Sequence, residues 1–310
     1  MRTDIDYSYS FLNKVLIVLL FSILFLGLSS ISAQINPLIS QYYQNQYLGN
    51  PALAGMDDNL NINLSYRNQW NGIPGAPVTQ TLTADYRLKK VGVGLSVYND
   101  KAGLIQGTRT MATYAYHLPL NIKGDQLHFG WSLGFMHEYI NKEDIVGDQN
   151  DIAVEQFNLR EMTIDGDFGI AYTRDRLTIQ ASLPNLKTYF KKDYNIGNID
   201  RPTFYSAISY ILKDGKDKNE VSVEPKFCYR GIKGYTNMWD LGTNVMFDNN
   251  LNMMCMYHSN KSASFSLGMN YMTSVYFQFI YTKEMSTLTY DTKGIFEVNL
   301  KIPLLKPKKE

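Results

Sequence analysis

The chain has 310 residues, of which 45% are hydrophobic, 13% aromatic and 19% charged. Its 30 basic and 29 acidic residues leave a formal net charge of +1, a balance that indicates neither nucleic acid nor an anionic surface as a partner. The 23 tyrosines and 15 phenylalanines far outnumber the 3 tryptophans, and such aromatic side chains favour the pleated surface of a β-sheet.

The first element is an apolar run, VLIVLLFSILFLGL (15–28), which follows Lys14 and precedes SSISAQ. A run of about 14 apolar residues is short for a membrane-spanning helix and typical of the centre of a signal peptide. We therefore expect residues 1–33 to be a signal peptide cleaved after Ala33, with an anchor helix as the alternative. No later apolar run approaches about 18 residues, so the sequence predicts no transmembrane helix in the mature chain.

The next element, SQYYQNQYLGNPALAGMDD (40–58), has neither the alternation of a strand nor the apolar stripe of an amphipathic helix. Its Asn-Pro-Ala-x-Ala-Gly turn combines small residues with a proline, whose fixed φ angle helps a chain double back. We expect residues 34–58 to form a non-strand lead ahead of the β-sheet.

A period-two alternation runs through the rest of the chain and is the pattern of β-strands. In NLNINLSYR, for example, Leu60, Ile62 and Leu64 fall on one face while Asn61 and Asn63 fall on the other. The pattern predicts one domain of about 14 strands over residues 59–310. The predicted strands lie near 59–67, 81–88, 91–98, 108–118, 127–135, 164–173, 176–183, 203–212, 220–230, 237–247, 250–258, 263–272, 274–283 and 294–302.

Several features favour a membrane barrel over a soluble β-sandwich, in which the apolar faces would pack inward. The strands run to about nine or more residues, the length needed to cross a bilayer at a tilt. Their connections tend to alternate between long (NQWNGIPGAP) and short (LKK), with NDKAGLIQ of medium length, as in outer-membrane barrels. Tyrosines near strand ends suit an aromatic girdle: Tyr114, Tyr116, Tyr172, Tyr210, Tyr257, Tyr271, Tyr276 and Tyr281. The predicted fold is an all-β, transmembrane antiparallel β-barrel of about 14 strands with an N-terminal plug-like segment.

The polar strand faces carry charged residues that we expect to pair across a polar lumen, with a selectivity zone as the alternative. The carboxylates are Asp85, Asp165 and Asp167, and the expected partners are Arg67, Arg87 and Lys226.

Little in the sequence predicts catalysis or metal binding. The histidines lack zinc-type spacing to one another or to a cysteine, so we expect no metal and no cofactor. His128 and Ser132 share a strand face but lie about 13 Å apart at the rise of a strand, too far for a nucleophile and its base. His258 and Ser259 adjoin but point to opposite faces. We therefore expect the protein not to be an enzyme.

The first long loop, NQWNGIPGAP, is too apolar for a plain solvent-exposed connection. Its Trp70, Ile73, Pro74 and Pro77 either pack into the mouth of the barrel or meet a partner, and the sequence leaves both open.

Four stretches resemble the PorP/SprF family of outer-membrane proteins: NPLISQYYQNQYLGNPALAG, SYRNQWNGIPGAPVTQTLTADY, VGVGLSVYNDKAG and GIFEVNLKI. The motifs SQYY, NPA-x-AG, YR-x-QW and ND-x-x-G occur in order within residues 36–103, and from about 140 to 235 only the strand pattern matches. The resemblance implies an outer-membrane component associated with type IX secretion and gliding motility in Bacteroidota. It implies as partners a large secreted adhesin, or other cargo with a C-terminal sorting domain, together with other type IX secretion components and outer-membrane lipid.

The turn Asn50-Pro51-Ala52 is also similar to the N-terminal hatch of long-chain fatty-acid transporters, which makes a channel for hydrophobic solutes the alternative function. A hatch of this kind places irregular backbone inside a lumen, where it does not face lipid. We therefore predict plug or mouth packing for six residues. They are Tyr42, Tyr43, Asn50, Pro51, Arg67 and Trp70.

Overall fold

The computed structural model describes residues 40–70, 73–145, 147, 151–190, 203–213, 221–232, 237–248, 250–271, 275–285 and 293–304. The predicted signal peptide and residues 34–39 of the predicted lead lie outside this part of the chain. In the described ranges no helix combines the length and the apolar character needed to cross a membrane.

Antiparallel strands form one closed sheet. The strands are β1 (Asn61–Gln69), β2 (Val78–Leu88), β3 (Val91–Ala102), β4 (Ile105–Pro119), β5 (Gln126–Ile140), β6 (Thr163–Arg174), β7 (Leu177–Leu183), β8 (Thr203–Tyr210), β9 (Leu212–Lys213), β10 (Val221–Ile232), β11 (Met238–Phe247), β12 (Leu251–His258), β13 (Ser262–Tyr271), β14 (Val275–Glu284) and β15 (Ile295–Pro303). Because β8 and β9 both pair with β10, they share one place in the wall, which has 14 strand positions. The first and last strands, β1 and β15, pair with each other and close the barrel, so the predicted antiparallel barrel is confirmed.

Side-chain burial shows which face of the wall is apolar. Along β1, Asn61, Asn63 and Arg67 are buried inside the barrel, whereas Leu64 and Tyr66 are exposed on its outside. The same inversion recurs around the wall. Exposed outward-facing side chains include Leu95, Trp131, Leu133, Phe135, Ile170, Phe227, Phe265, Leu267, Phe277, Phe279 and Val298. An apolar exterior around a polar interior is the arrangement of a barrel in lipid, since a soluble sandwich would bury the apolar face.

The two ends of the barrel differ in their connections. One end, called the turn end here, carries the short links at 89–90, 175–176 and 248–250. The other, the loop end, carries longer connections, at 70–77, 141–162 and 184–202, together with the short links at 103–104 and 259–261. Outer-membrane barrels place short turns in the periplasm and longer loops outside, so the loop end faces the exterior. The short helices are the 3-10 turns Gln46–Leu48, Pro51–Leu53 and Lys142–Asp144 and the α-helices Ile152–Asn158 and Lys187–Phe190.

Two details differ from the sequence expectations. The connection expected around NDKAGLIQ is a two-residue turn, because β3 runs on to Ala102 and β4 starts at Ile105, with Gly103 at a φ of 60°. Tyr276 was expected in an outward girdle, but it is buried in the lumen, where its hydroxyl accepts a hydrogen bond from Gln44 at 2.8 Å. Its position in β14 gives it the inward phase of the strand alternation, which outweighs the girdle pattern of tyrosines near strand ends.

Candidate functional site in the barrel lumen

Residues 40–58, named the lumen segment here, lie inside the barrel against the inward-facing side chains of the wall. Asn50, Ala52 and Ala54 have no exposed surface, and Tyr42 retains only 3%. The segment leaves the lumen at the turn end, where Asp57 and Asp58 are exposed. The lumen is therefore occupied by the chain's own residues over this stretch.

The local sequence explains the compact shape of the lumen segment. Asn50 caps the 3-10 turn Pro51–Leu53, because its Oδ1 accepts a hydrogen bond from the Ala52 N–H at 3.0 Å. Pro51 occupies the first position of that turn, where its missing N–H costs nothing. Gly55 ends the turn at a φ of 68°, a conformation that glycine adopts without strain.

On one side, the lumen segment makes hydrogen bonds to strands β2 to β7. The Asn50 Nδ2 donates to the Ile170 carbonyl at 3.1 Å and to Gln180 Oε1 at 3.3 Å. Further bonds join the segment to these strands. They are Asn45 to Thr83, Tyr47 to Thr113, Gln180 to Gln46, Ser182 to the Gly49 carbonyl and the Gly55 N–H to Asp85. The contacts are mostly amides and hydroxyls, which hold the segment without burying unpaired charge.

On the opposite side, the aromatic residues of the lumen segment contact β10 and β11. The buried Lys226 donates from Nζ to the Tyr42 carbonyl at 2.7 Å, and the same ammonium lies 4.4 Å from the centre of the Tyr43 ring. The Tyr42 hydroxyl donates to Asp240 Oδ2 at 3.1 Å. Asp240 is also bound bidentately by Arg230, so Tyr42 joins a fully buried ion pair.

Glycines in the wall make room for the backbone of the lumen segment. A β-carbon at Gly130 would lie 2.2 Å from the Ala52 nitrogen, and one at Gly169 would lie 1.9 Å from Asn50 Oδ1. A β-carbon at Gly92, in the VGVGLS stretch, would lie 2.0 Å from the Ala54 carbonyl oxygen. The roles of these glycines were not predicted, although a glycine within a strand often marks a site where another backbone approaches closely.

The structure places the six predicted residues in three zones. Tyr42, Tyr43, Asn50 and Pro51 belong to the lumen segment and contact the wall as described above. Arg67 is buried on the inward face of β1, opposite Glu297 of β15 in the strand register.

Trp70, the sixth residue, lies at the loop end, apart from the lumen segment. Its indole Nε1 donates to Glu284 Oε1 at 3.2 Å, and its backbone has a φ of 51°. The structure thus brings Trp70 to the rim of the barrel and leaves Ile73, further along the same loop, exposed.

The partners predicted for the charged residues of the lumen were wrong. Asp165 and Asp167 pair with Arg109 of β4, at 3.0 and 2.7 Å. Asp85 accepts a hydrogen bond from the Gly55 N–H of the lumen segment. Lys226 donates to the Tyr42 carbonyl, and its Nζ lies 3.5 Å from Glu224 Oε1. The sequence could not show these pairings, because partners in a barrel depend on register between strands and on the path of the lumen segment.

Two histidine arrangements in the lumen were not predicted. His117 and His128 share a hydrogen bond between their Nδ1 atoms at 2.7 Å, and the His117 Nε2 lies 3.1 Å from the Ala54 carbonyl. A carbonyl only accepts, so His117 carries its proton on Nε2 and accepts at Nδ1 from His128. This pair therefore holds the lumen segment near the turn end.

The second arrangement resembles a catalytic triad in its contacts. His258 Nδ1 lies 2.7 Å from Asp240 and its Nε2 lies 2.8 Å from the Ser264 hydroxyl. Ser264 has no exposed surface, however, and its hydroxyl also bonds Thr282 at 2.6 Å. The geometry thus suits a buried hydrogen-bond network that ties β11, β12, β13 and β14 together.

The described residues contain no cluster of three or more His, Cys, Asp or Glu side chains placed to hold a metal ion. The two cysteines are free thiols, with Cys228 buried in the lumen and Cys255 exposed on the outside of the wall. The lumen therefore offers hydrogen-bonding groups and ion pairs as its chemistry.

A closed antiparallel barrel with an apolar exterior and a polar interior defines this chain as an outer-membrane β-barrel protein. Omp33 of Acinetobacter baumannii, an outer membrane protein, has a similar fold: TM-score 0.51, 9% identity, 81% of this chain and 100% of that one covered. The toluene transporter TbuX of Ralstonia pickettii gives a TM-score of 0.47 at 10% identity, with 88% and 93% covered. At 9% identity the likeness to Omp33 is one of fold alone.

The family model for the type IX secretion system membrane protein PorP/SprF matches residues 31–302. The chain belongs to this family and is a secretion-associated component of the outer membrane. None of the curated proteins matches it.

Proposed function

We propose that this barrel is a non-enzymatic partner of type IX secretion that binds a secreted surface protein, such as an adhesin, and holds it at the outside of the cell. The observation that carries the proposal is the lumen segment. Because the chain's own residues occupy the lumen, the surfaces left for another molecule are the loop end and the outside of the wall.

The loop between β5 and β6 supplies one binding surface in this proposal. Its α-helix, Ile152–Asn158, is held to the end of β5, because the Asn158 side chain bonds both the N–H and the carbonyl of Ile140. Ile152, Leu159 and Met162 remain exposed, by 66 to 75%. A helix fixed to the wall, with exposed apolar side chains on and beside it, is a suitable surface for binding a protein.

In this proposal the lumen segment acts as a plug. Tyr42 and Tyr43 hold it to β10 and β11, Asn50 and Pro51 hold it to β5, β6 and β7, and the barrel conducts no solute while the segment is bound. A channel for hydrophobic solutes is a weaker alternative, because most of the buried inward-facing side chains are polar or charged and suit hydrogen bonding better than an apolar ligand.

Affinity purification from detergent-solubilised outer membranes tests the proposal. We expect a tagged copy of the chain to retain a large secreted protein with a C-terminal sorting domain, and other type IX secretion components with it. An unrelated tagged barrel is the control.

Two results contradict the proposed function. One is a preparation that contains no secreted protein above the control level. The other is loss of uptake of a labelled hydrophobic solute, such as a fatty acid or toluene, when the chain is deleted, since that would favour the channel.

A further inference from the structure

Among the described residues, the ladder of the wall is incomplete between β6 and β8 at the loop end. Strand β7 pairs with β6 only from Arg174 up to Phe168, so Thr163–Asp167 of β6 have no partner in β7. On the other side, β7 reaches Tyr205 of β8 but not Thr203 or Phe204. We call this gap the lateral notch.

The sequence explains why β7 stops early. Pro184 follows directly after the last residue of the strand, and a proline has no N–H to continue the ladder. Asn185 then takes a φ of 58°, which turns the chain out of the extended conformation. The lateral notch is therefore encoded by the residues at the end of β7.

Residues 184–190, named the latch here, lie over the β6 side of the notch. The Leu186 N–H donates to the Gly166 carbonyl at 2.8 Å, in the place of one ladder bond. The N–H groups of Asn185 and Lys187 donate to the side chains of Asp167 and Asp165, at 2.9 and 3.1 Å. Three backbone donors of the latch are thus bound by acceptors of a single strand.

The two carboxylates that bind the latch are held from the other side by one arginine. Arg109 contacts Asp165 at 3.0 Å and Asp167 at 2.7 Å. Arg109 brings one positive charge to the two carboxylates, and Lys187 of the latch brings a second. Displacement of the latch would therefore leave Arg109 and the two carboxylates with a formal charge of −1. The site therefore combines oriented acceptors for backbone N–H groups with an attraction for one further positive charge.

We infer that the lateral notch is the docking site for an extended segment of the secreted partner, which displaces the latch and adds as a strand to the free edge of β6. The inference rests on the proposed function and names the surface that function uses. A strand edge presents unpaired N–H and carbonyl groups that an extended peptide satisfies along its length.

The notch also defines the chemistry of the segment that fits it. The five residues of β6 that have no partner in β7 span about 16 Å, so about five residues of the secreted partner would pair there once the latch is displaced. Side chains that point outward would lie beside Ile164, which is 63% exposed, and should be apolar. A side chain that points inward would meet Asp165 and Asp167, and a lysine or arginine suits that position.

Photo-cross-linking maps the contact directly. Benzoylphenylalanine replaces Ile164, at the notch, or Ile170, on the same outward face of β6 but paired with Ala181 of β7. The probe is the purified C-terminal sorting domain of the secreted protein retained by the wild-type barrel. We expect cross-linking at position 164 at least tenfold above position 170, to a peptide with alternating apolar residues. Equal yields at the two positions overturn the inference.

A disulfide that locks the latch supplies an independent test. Gly166→Cys and Leu186→Cys are combined in a chain with Cys228→Ala and Cys255→Ser, since the Leu186 N–H bonds the Gly166 carbonyl at 2.8 Å and a β-carbon at position 166 would lie 3.7 Å from Leu186 Cδ1. That β-carbon would also lie 3.0 Å from the Ser132 carbonyl oxygen, which must give by a few tenths of an ångström. We expect the oxidised protein to lose at least tenfold of its binding to the sorting domain, and reduction to restore it.

The matched control places a disulfide in the complete wall. Leu267→Cys and Phe279→Cys face each other across β13 and β14, and this cross-link should leave binding unchanged. Binding by the latch-locked protein equal to that of its reduced form overturns the docking site. Failure of the wild-type barrel to retain any secreted protein overturns the proposed function, and the docking site with it.

Discussion

Asn50 is the residue whose loss should loosen the lumen segment most clearly. Its side chain is fully buried, caps the turn that starts at Pro51 and donates to Ile170 and Gln180 of the wall. Loss of a side-chain cap costs about 1 kcal/mol. Each of the two hydrogen bonds to the wall contributes about 1 kcal/mol, so Asn50→Ala should make docking of the lumen segment about 3 kcal/mol less favourable in total.

Hydrogen–deuterium exchange measures this change in the folded barrel. A factor of ten in an opening equilibrium corresponds to about 1.4 kcal/mol, so amides of residues 45–54 should exchange about 100-fold faster in Asn50→Ala. Amides of β12 and β13 should be unaffected. Asn68→Ala makes the same chemical change on the outward face of β1 and is the matched control. Exchange in residues 45–54 within threefold of wild type would show that Asn50 does not hold the lumen segment in place.

Three further predictions concern single side chains in the lumen. Gly130→Ala should displace the lumen segment and speed hydrogen exchange there, because the new β-carbon would lie 2.2 Å from the backbone nitrogen of Ala52. Gly107→Ala, where the nearest atom lies at 3.7 Å, should leave exchange unchanged. Equal exchange in the two variants would contradict this prediction. Lys226→Met removes a charged hydrogen bond worth about 1.5 kcal/mol and should speed exchange of residues 40–43 about tenfold, with unchanged exchange as the opposing result. Ser264 should not react with a fluorophosphonate probe, because its hydroxyl is buried and bonded twice; labelling that Ser264→Ala abolishes would contradict this.

The sequence predicts the strands well for a simple physical reason. In a barrel wall every second side chain faces lipid, so the alternation of Leu64 and Tyr66 with Asn63 and Arg67 is written into the local sequence. The length of a strand is less visible, because β3 and β4 extend through NDKAGLIQ, which reads as a loop.

The candidate site was only partly predictable. The unusual composition of residues 40–58 marked the lumen segment, but its contacts with Gly130, Gly169 and Lys226 join residues far apart in the sequence. The same holds for Asp165 and Arg109. Such pairs depend on the register of the strands and on the path of the segment, and neither is a local property of the sequence.

Surface proteomics of a strain that lacks this chain tests the central claim most directly. We expect the secreted protein retained by the wild-type barrel to be lost from the cell surface of this strain and to return when a copy of the chain is supplied. Unchanged amounts of that protein on the surface of the deletion strain would contradict the account.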